Sequence, residues 1–404
     1  RSDRDWSSDV CSSDLEFISN IVNGLENQQS TLAAFLDLSK AFDRVRHQDL
    51  VMDLFSLGIV GTPLLWFMDY LSDRTQRVVV GPERGENQRC TRGVPQGSVL
   101  GPLLFSIYIR DVSKVLQGKD VTDQEYADDI CFDASDKDVH RVAARLTEAV
   151  SDLAVWLEQR GLILNSAKTQ VLFITPGGEP CDESVEVRCR GQLLVRTESA
   201  RYLGLWIDSK LSWDKHIDNT LKRLAQRVGA LRRARRCLSA RACRIYYLSV
   251  IQSALMYGSN AYWSGLSARL RQRLLTAAKK ALRCIAQAPP RSASAPLWAR
   301  LKLNPPDVHA TTKLLVFVGR CEFSRCSPLL QPLLQHRTTA HCTRGRDSDL
   351  LVPYVNGRSG TMAPTYQCSL LWNTLPREIK CMASSSDSSF LMFRNRLLRY
   401  RAPC

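Results

Sequence analysis

The sequence predicts an α+β core followed by a mainly helical region. Over residues 16–175, short apolar runs of strand length alternate with amphipathic helical stretches, and after Asp208 the pattern becomes helical and basic. This alternation fits an α/β core as well as an α+β core. With 404 residues, of which 44% are hydrophobic and 24% charged, the chain can bury more than one core. The composition excludes a disordered or fibrous protein, and no apolar run reaches the length of a membrane span.

In chain order, the first half shows turn and capping signals between its apolar runs. Pro63 suits the first position of a helix, and the run before Asp37 has the length of a buried strand. The pattern predicts helix 16–28, strand 31–38, a helix from about Ser39, a helix from Pro63, strand 77–80, loop 93–102 and helix 103–116.

The second half begins with a strand–turn–strand pattern at 125–132, which has Asp128 and Asp129 at its tip. Apolar residues at helical spacing then predict a helix over 139–157, with Ser135 as its N-cap and Gly161 as its stop. Strands are predicted around 169–174, 185–195 and 201–207, and the serine-rich stretch 384–389 is predicted to be a linker.

The positive charge is concentrated in one segment. The formal net charge is +15, yet residues 219–306 contain 18 Lys and Arg and no Asp or Glu, so the rest of the chain carries a net −3. Such a segment is typical of a surface that meets a phosphate backbone. A solvated helix face or a patch that meets a membrane surface are the alternatives.

The two ends of the chain and its cysteines give weaker signals. Residues 5–15 resemble the translation of a sequencing adapter, so residues 1–15 are treated as an artefact, and the absence of an initial Met and of a leader predicts a fragment without a secretion signal. The fourteen cysteines are scattered, which favours reduced thiols.

Three aspartates have the character of a metal site. Asp37 closes a buried strand, and Asp128 and Asp129 lie at a hairpin tip. Neighbouring carboxylates repel one another unless a divalent cation lies between them, and Mg²⁺ prefers such oxygen ligands. Two ions would activate an attacking hydroxyl and stabilise a leaving oxygen in phosphoryl transfer. Alternatively, Asp128 and Asp129 only form a turn and Asp37 only caps a helix.

Five segments together resemble, in order and spacing, the reverse transcriptases of non-LTR retrotransposons (LINE elements), most closely the jockey type. They are FLDLSKAFDRV (35–45), RGVPQGSVLGPLLFSIYI (92–109), YADD (126–129), GLILNSAKT (161–169) and RYLGLWID (201–208). The resemblance covers residues 16–300. It implies an α+β right-hand polymerase: partial fingers and a palm with split βαβ topology at 16–208, a basic helical thumb at 209–300, and a C-terminal region of unknown role at 301–404.

The resemblance assigns the catalytic and metal-binding roles residue by residue. Asp37, Asp128 and Asp129 would bind two Mg²⁺ ions, for which Mn²⁺ could substitute, and Lys168 would protonate the pyrophosphate leaving group. Phe42 matches the steric gate against a ribose 2′ hydroxyl, and its ring is expected to point towards the metals rather than into the core. As the alternatives, Phe42 is a packing residue and Lys168 a surface lysine.

The resemblance also assigns residues that would hold substrates. Gln96 and Gly97 would contact the incoming nucleotide, with backbone amides near Gly97 and Ser98 facing phosphate, and Tyr126 would touch the primer end. Asp43 belongs to the family pattern without an assigned role. The primer grip would consist of Tyr202, Leu203 and Gly204, and the residues on the nucleic-acid backbone would be Lys222, Arg223, Arg232, Arg233, Arg235 and Arg236.

These features predict an RNA-directed DNA polymerase that extends a DNA primer 3′ hydroxyl with deoxynucleoside triphosphates on an RNA template. The finger strands that clasp the triphosphate do not fit ahead of Asp37, so the rival is a catalytically incompetent nucleic-acid-binding remnant. Phe42 disfavours a second rival, an RNA-templated RNA polymerase. An element ribonucleoprotein would be nuclear and cytoplasmic, without a membrane partner.

The C-terminal 100 residues give two further signals. Cys321, Cys326, His336 and Cys342 loosely resemble a zinc knuckle, although their spacing differs from it and packing residues are the alternative. Residues 371–376 (LWNTLP) resemble the end of jockey-type reading frames, with no role assigned.

Overall fold

The computed structural model describes residues 7–179, 182–323, 334–336, 349–355, 357–380 and 387–399. They divide into two compact units: one is Gln29–Ala200, and the other consists of the described residues of Arg1–Gln28 and Arg201–Cys404. The first helix, α1 (Ser7–Glu26), belongs to the second unit because it packs against helices of the C-terminal region. The sequence placed residues 16–28 and 201–208 with the palm, whereas in the structure these residues belong to the second unit.

The Gln29–Ala200 unit alternates helices with strands. Its helices are α2 (Ala41–Arg44), α3 (His47–Ser56), α4 (Thr62–Leu71), α5 (Gly101–Ile109), α6 (Val112–Val115) and α7 (Val139–Gln159). Its strands are β1 (Ser30–Leu36), β2 (Thr75–Gln76), β3 (Val79–Val80), β4 (Glu83–Arg84), β5 (Gln88–Arg89), β6 (Thr122–Tyr126), β7 (Asp129–Asp136), β8 (Gln170–Ile174), β9 (Arg188–Cys189), β10 (Gln192–Leu193) and β11 (Val195–Thr197).

The central sheet has the strand order β11-β8-β1-β7-β6. Strand β1 is antiparallel to both β7 and β8, and β6 is antiparallel to β7. The connection from β1 to β6 therefore encloses β7, and the connection from β7 through α7 to β8 encloses β1. These two interleaved units are the predicted split βαβ topology, and they confirm the α+β fold class.

One face of this sheet carries the core of the unit. Leu32, Ala34 and Leu36 of β1 alternate with residues that face the other way, and they join Ile130 and Phe132 of β7 in a single buried cluster. The apolar stripe of α7 covers that cluster. Because successive side chains of a strand point to opposite faces, the apolar residues fix which face of β1 and β7 remains for polar groups.

Several predicted boundaries were wrong. Asp138, not Ser135, caps α7, because its carboxylate accepts from the amides of the first turn, whereas the Ser135 hydroxyl bonds that of Thr31 across the sheet, 2.7 Å away. The strand predicted at 185–195 is interrupted by a turn at Arg190 and Gly191, which both have positive φ, and it forms β9, β10 and β11.

The second unit is mainly helical after one hairpin, β12 (Ser199–Tyr202) with β13 (Leu205–Asp208). A π-helical turn at Tyr247–Gln252 precedes the short helix Ser253–Leu255. The described helices of the second unit after the hairpin are α8 (Asp214–Ala234), α9 (Ala240–Tyr246), α10 (Ser253–Leu255), α11 (Ser259–Tyr262), α12 (Ala268–Ala286), α13 (Ser294–Leu301), α14 (Pro306–Glu322), α15 (Arg358–Thr361), α16 (Pro364–Asn373), α17 (Arg377–Lys380) and α18 (Asp387–Arg399).

The LWNTLP segment is the centre of a small C-terminal core. Trp372 and Leu375 are buried in an apolar cluster with residues of α14 and α18. The side-chain amide of Asn373 donates to the Leu350 carbonyl and accepts from the Leu350 amide, each at 2.8 Å. This tail motif therefore has a packing role. Among the described residues, no helix is long and apolar enough to cross a membrane.

Candidate active site

The two carboxylate motifs meet at one end of the central sheet. Leu36 of β1 lies opposite Ile130 of β7, so the next residues outwards, Asp37 and Asp129, lie side by side at this end. Tyr126 pairs with Asp129, which leaves Ala127 and Asp128 as the hairpin tip. Ala127 has a φ of 54°, a left-handed conformation that tightens the turn. The strand–turn–strand prediction is confirmed.

A loop after α7 holds Asp37 from the other side. The Asn165 amide donates to the Asp37 carbonyl at 2.8 Å, and the Ser39 amide donates to the Ile163 carbonyl at 2.9 Å. The Thr169 hydroxyl in turn donates to the Asn165 carbonyl at 2.9 Å. Lys168 belongs to this loop and its side chain is exposed, so a cationic group lies on the same short segment that holds Asp37.

No described residue neutralises the carboxylates of Asp37 and Asp128. Neither makes a hydrogen bond or ion pair with a described residue, and Asp128 is exposed while Asp37 is half-buried. Oxygen donors of this kind fit Mg²⁺, which is held by one or two carboxylates and completed by phosphates and water. In the described part of the chain, however, no three His, Cys, Asp or Glu side chains come together as a metal site, so the convergence expected of all three aspartates is not found.

A fourth carboxyl group on the hairpin has different chemistry. Burial, with a smaller contribution from neighbouring Asp123, raises the pKa of Glu125 to about 8. Glu125 is therefore largely protonated at neutral pH. It pairs with Ile130 in the sheet, so its side chain lies on the opposite face of the sheet from that of Asp129.

Phe42 packs partly on the core. Its ring stacks on that of buried Phe105, with centroids 4.5 Å apart and an interplanar angle of 26°. One face of the Phe42 ring therefore packs against the core, contrary to the expectation that the ring points away from it. The side chain is only half-buried, so the role of Phe42 as a steric gate stays a prediction.

The loop that carries Gln96 is fastened to the segment after Asp37. The Gly93 amide donates to the Val45 carbonyl at 2.7 Å, and the Val94 amide donates to the Phe42 carbonyl at 2.9 Å. The Gln96 side-chain amide donates to the Asp43 carboxylate at 3.0 Å. Asp43, to which the sequence assigned no role, therefore orients the Gln96 side chain through its amide group.

The backbone of this loop differs from the expectation in one respect. The Ser98 amide donates to the Pro95 carbonyl at 3.2 Å, and the Ser98 hydroxyl accepts from the Gly101 amide at 2.9 Å. Helix α5 begins only at Gly101. The Ser98 amide is thus engaged in a turn and does not face a phosphate, whereas Gly97 is exposed with a φ of +79°.

The predicted primer-grip residues form a tight hairpin tip in the second unit. Tyr202 ends β12, and Leu203 and Gly204 make the turn with φ of 43° and 85°. The Tyr257 hydroxyl donates to the Leu203 carbonyl at 2.7 Å, and a Cβ on Gly204 would lie 3.0 Å from the Tyr257 ring. The turn therefore needs glycine at this position, and contact with a primer stays a prediction.

A cationic cleft lies between the C-terminal ends of α8 and α12. It has a volume of about 810 Å³, and its lining includes Arg232, Arg233, Arg235, Arg236, Lys280 and Arg283. Arg235 donates to the Cys284 carbonyl and Arg283 to the Ser292 carbonyl. Four of the predicted backbone-binding residues thus share one surface, and the structure adds Lys280 and Arg283, which the sequence shows only as part of the acid-free run.

Lys222 and Arg223 are exposed nearer the start of α8 and do not line that cleft. Of the predicted zinc ligands, Cys321 is buried in the C-terminal core and His336 pairs with Glu322 at 3.1 Å. Cys326 and Cys342 lie outside the described residues, as do 381–386 of the chain around the predicted linker. The zinc prediction therefore stays untested.

A split βαβ sheet with carboxylates at the end of adjacent inner strands defines a polymerase palm. Residues 9–207 match the family described as reverse transcriptase (RNA-dependent DNA polymerase). These residues therefore have the sequence of a reverse transcriptase domain, and the chain is similar to LINE-like reverse transcriptases, as its motifs predicted.

Two relatives from Drosophila melanogaster are similar to this chain. The RNA-directed DNA polymerase from mobile element jockey is 30% identical over 281 residues, covering 66% of this chain and 30% of the relative. The probable RNA-directed DNA polymerase from transposon BS is 29% identical over 283 residues, covering 67% and 30%. The chain thus spans about a third of these relatives. A telomerase structure from Candida tropicalis aligns over 76% of this chain and 50% of its own, with 13% identity and a TM-score of 0.38.

Proposed function

We propose that the chain extends a DNA primer 3′ hydroxyl with deoxynucleoside triphosphates on an RNA template. The observation that carries this proposal is that Asp37, Asp128 and Asp129 follow the same end of β1 and of the β6–β7 hairpin, and that no described residue pairs with the carboxylates of Asp37 and Asp128. Two Mg²⁺ ions held there would activate the attacking hydroxyl and stabilise the leaving oxygen.

The residues around the carboxylates have supporting roles in this proposal. Lys168 would donate a proton to the leaving pyrophosphate from the loop that holds Asp37. Gln96, oriented by Asp43, would contact the incoming nucleotide through its carbonyl oxygen. The exposed part of the Phe42 ring would exclude a ribose 2′ hydroxyl, because its contact with Phe105 prevents the ring from moving back.

The cationic cleft of the second unit supports binding of the template–primer duplex. Its arginines and lysine would contact phosphates rather than bases, so binding would be tolerant of sequence and sensitive to salt. Tyr202, Leu203 and Gly204 would meet the primer end on a hairpin tip that Tyr257 holds in shape.

Primer extension by the full chain tests the proposal. A labelled DNA primer on an RNA template, with Mg²⁺ or Mn²⁺, is expected to be extended by the unmodified chain. Asp128→Asn should lower the rate by at least about 100-fold, because it removes a charged metal ligand without changing its shape. Asp120→Asn is the matched control. Asp120 is an exposed acid that precedes the same hairpin in the chain, and its carboxylate pairs with Arg145. Unchanged extension by Asp128→Asn would contradict the mechanism.

A nucleic-acid-binding remnant is the second candidate, favoured by the absence of a three-ligand metal cluster in the described part of the chain. It predicts that the unmodified chain binds an RNA–DNA duplex but extends no primer with either metal. Binding without extension would therefore replace the proposed function with this one.

A further inference from the structure

An exposed serine follows the arginines of the cationic cleft. Ser239 stands three residues after Arg236 and two residues before Arg241, and all three side chains are exposed. Arg236 belongs to the lining of the cleft, and no described residue pairs with its guanidinium. Many protein kinases select a serine by arginines at fixed positions around it, because carboxylates of the kinase pair with those arginines. The segment therefore has the charge pattern of a kinase substrate.

The backbone and the hydroxyl of Ser239 both suit a kinase active site. Leu238 has a φ of −108° and a ψ of 137°, and Ser239 has a φ of −65° and a ψ of 159°, so the segment is extended just before α9. The Ser239 hydroxyl accepts a hydrogen bond from the Ala242 amide at 3.2 Å, and it donates none to a described residue. Its proton is therefore available to the aspartate with which a kinase activates a substrate hydroxyl.

A threonine with a similar charge pattern shows what the structure adds to the sequence. Thr276 follows Arg271 by five residues and Arg273 by three. However, Thr276 lies inside α12, and its hydroxyl donates to a backbone carbonyl one turn earlier, at 2.8 Å. Arg273 is also engaged, since it pairs with Asp218 at 2.7 Å. A kinase would have to open α12 to reach Thr276, whereas Ser239 is accessible in the folded chain.

A phosphate on Ser239 would lie at the edge of the cationic cleft. The Cα atoms of Arg236 and Ser239 are at most about 11 Å apart, a span that a long arginine side chain and a phosphoserine cover between them. A phosphoserine carries a charge of about −1.5 to −2 at neutral pH, and residues 219–306 contain no other acid. Its oxygens would form charge-assisted hydrogen bonds with the arginines of the cleft, and they would compete there with the phosphates of a duplex.

We propose that an arginine-directed protein kinase phosphorylates Ser239, and that the phosphate weakens duplex binding by the cationic cleft. In this step the Ser239 Oγ forms a bond to the γ-phosphorus of ATP and the bond from that phosphorus to its bridging oxygen breaks. ADP leaves, and the hydroxyl proton passes to the base of the kinase. The effect on binding rests on the proposed function, because it requires that the cleft binds the template–primer duplex. The alternative is that Ser239 only caps α9.

Phosphorylation of the full chain in solution tests the site. The probe is the catalytic domain of protein kinase C with ATP, because this kinase selects basic residues on both sides of its target. Mass spectrometry should find phosphate on Ser239, and Arg236→Gln should slow its addition. Thr276 should be phosphorylated at least about 10-fold more slowly than Ser239, because α12 must open first. Absence of phosphate on Ser239, or faster phosphorylation of Thr276, would overturn the inference.

Two substitutions separate the charge from the helix cap. Ser239→Asp and Ser239→Asn both keep a good N-cap, but only the aspartate adds a negative charge. Ser239→Asp should flatten the log–log salt dependence of RNA–DNA duplex binding by about one unit, and phosphorylation by up to about two, whereas Ser239→Asn should leave it unchanged. Equal effects of the two substitutions would assign the change to the cap. An unchanged slope in the phosphorylated chain would overturn the effect on binding.

Primer extension separates this inference from the proposed function. If the unmodified chain extends primers and phosphate on Ser239 changes neither duplex binding nor extension, the regulatory site is wrong and the polymerase stands. If the unmodified chain extends nothing while phosphate on Ser239 still weakens duplex binding, the polymerase is wrong and the regulatory site stands.

Discussion

Gly93 fastens the Gln96 loop to the Asp37 segment, and its replacement tests that contact. A Cβ added at Gly93 would lie 2.9 Å from the Asp43 Cα and 3.0 Å from the Asp43 carbonyl oxygen, and both are backbone atoms that cannot rotate away. Gly93 also has a φ of +87°. The left-handed conformation costs an alanine about 1–2 kcal/mol, and the overlap adds about 1–3 kcal/mol. Gly93→Ala should therefore destabilise the Gln29–Ala200 unit by about 2–5 kcal/mol.

Gly97 in the same loop is the matched control. Its φ is +79°, but nothing lies within 4 Å of an added Cβ, so Gly97→Ala should cost only the conformational part, about 1–2 kcal/mol. Native-state hydrogen exchange at the amides of β1 and β7 gives the opening free energy of this unit separately from the other. Equal losses in the two variants would show that the close approach of Gly93 to Asp43 contributes nothing.

Three further outcomes are expected. Phe42→Val should raise ribonucleotide incorporation relative to deoxynucleotide incorporation in primer extension by about 10–100-fold, and equal discrimination would leave Phe42 as a packing residue only. Replacing the four cleft arginines Arg232, Arg233, Arg235 and Arg236 with Gln should flatten the log–log salt dependence of RNA–DNA duplex binding by about three or four units. An unchanged slope would show that the duplex contacts another surface. Burial raises the pKa of Asp14, whose carboxylate no described residue pairs, so stability falls as pH rises above the unfolded pKa of about 3.9. Asp14→Asn should thus stabilise the chain by about 1–3 kcal/mol at pH 7 and by little at pH 3, whereas a gain equal at both pH values would exclude the buried charge as its cause.

The local patterns of this sequence predict elements well and their junctions poorly. The apolar spacing of α7 gave the right helix, but its cap was assigned to Ser135 because the sequence does not reveal that this residue pairs with Thr31 across the sheet. Likewise, an apolar run cannot distinguish one strand from the successive short strands at 188–197.

Parts of the site were predictable for a different reason. Asp37, Asp128 and Asp129 belong to short contiguous motifs whose strand-end positions follow from the apolar runs beside them. The partnership of Asp43 with Gln96 joins residues 53 positions apart, and only the folded loop brings them within 3.0 Å.

The two carboxylates that no described residue pairs, those of Asp37 and Asp128, are carried by backbone segments of very different stiffness. Asp37 follows β1, which has a hydrogen-bonded neighbour on each side, so its backbone can move only if the middle of the sheet opens. Asp128 stands at the tip of a hairpin whose outer strand, β6, is held by β7 alone in this sheet. If both carboxylates bind metal ions, Asp37 would keep a fixed position and Asp128 would be able to move with the hairpin. The spacing between them would thus be adjusted at the hairpin, where a turn can open without loss of the core.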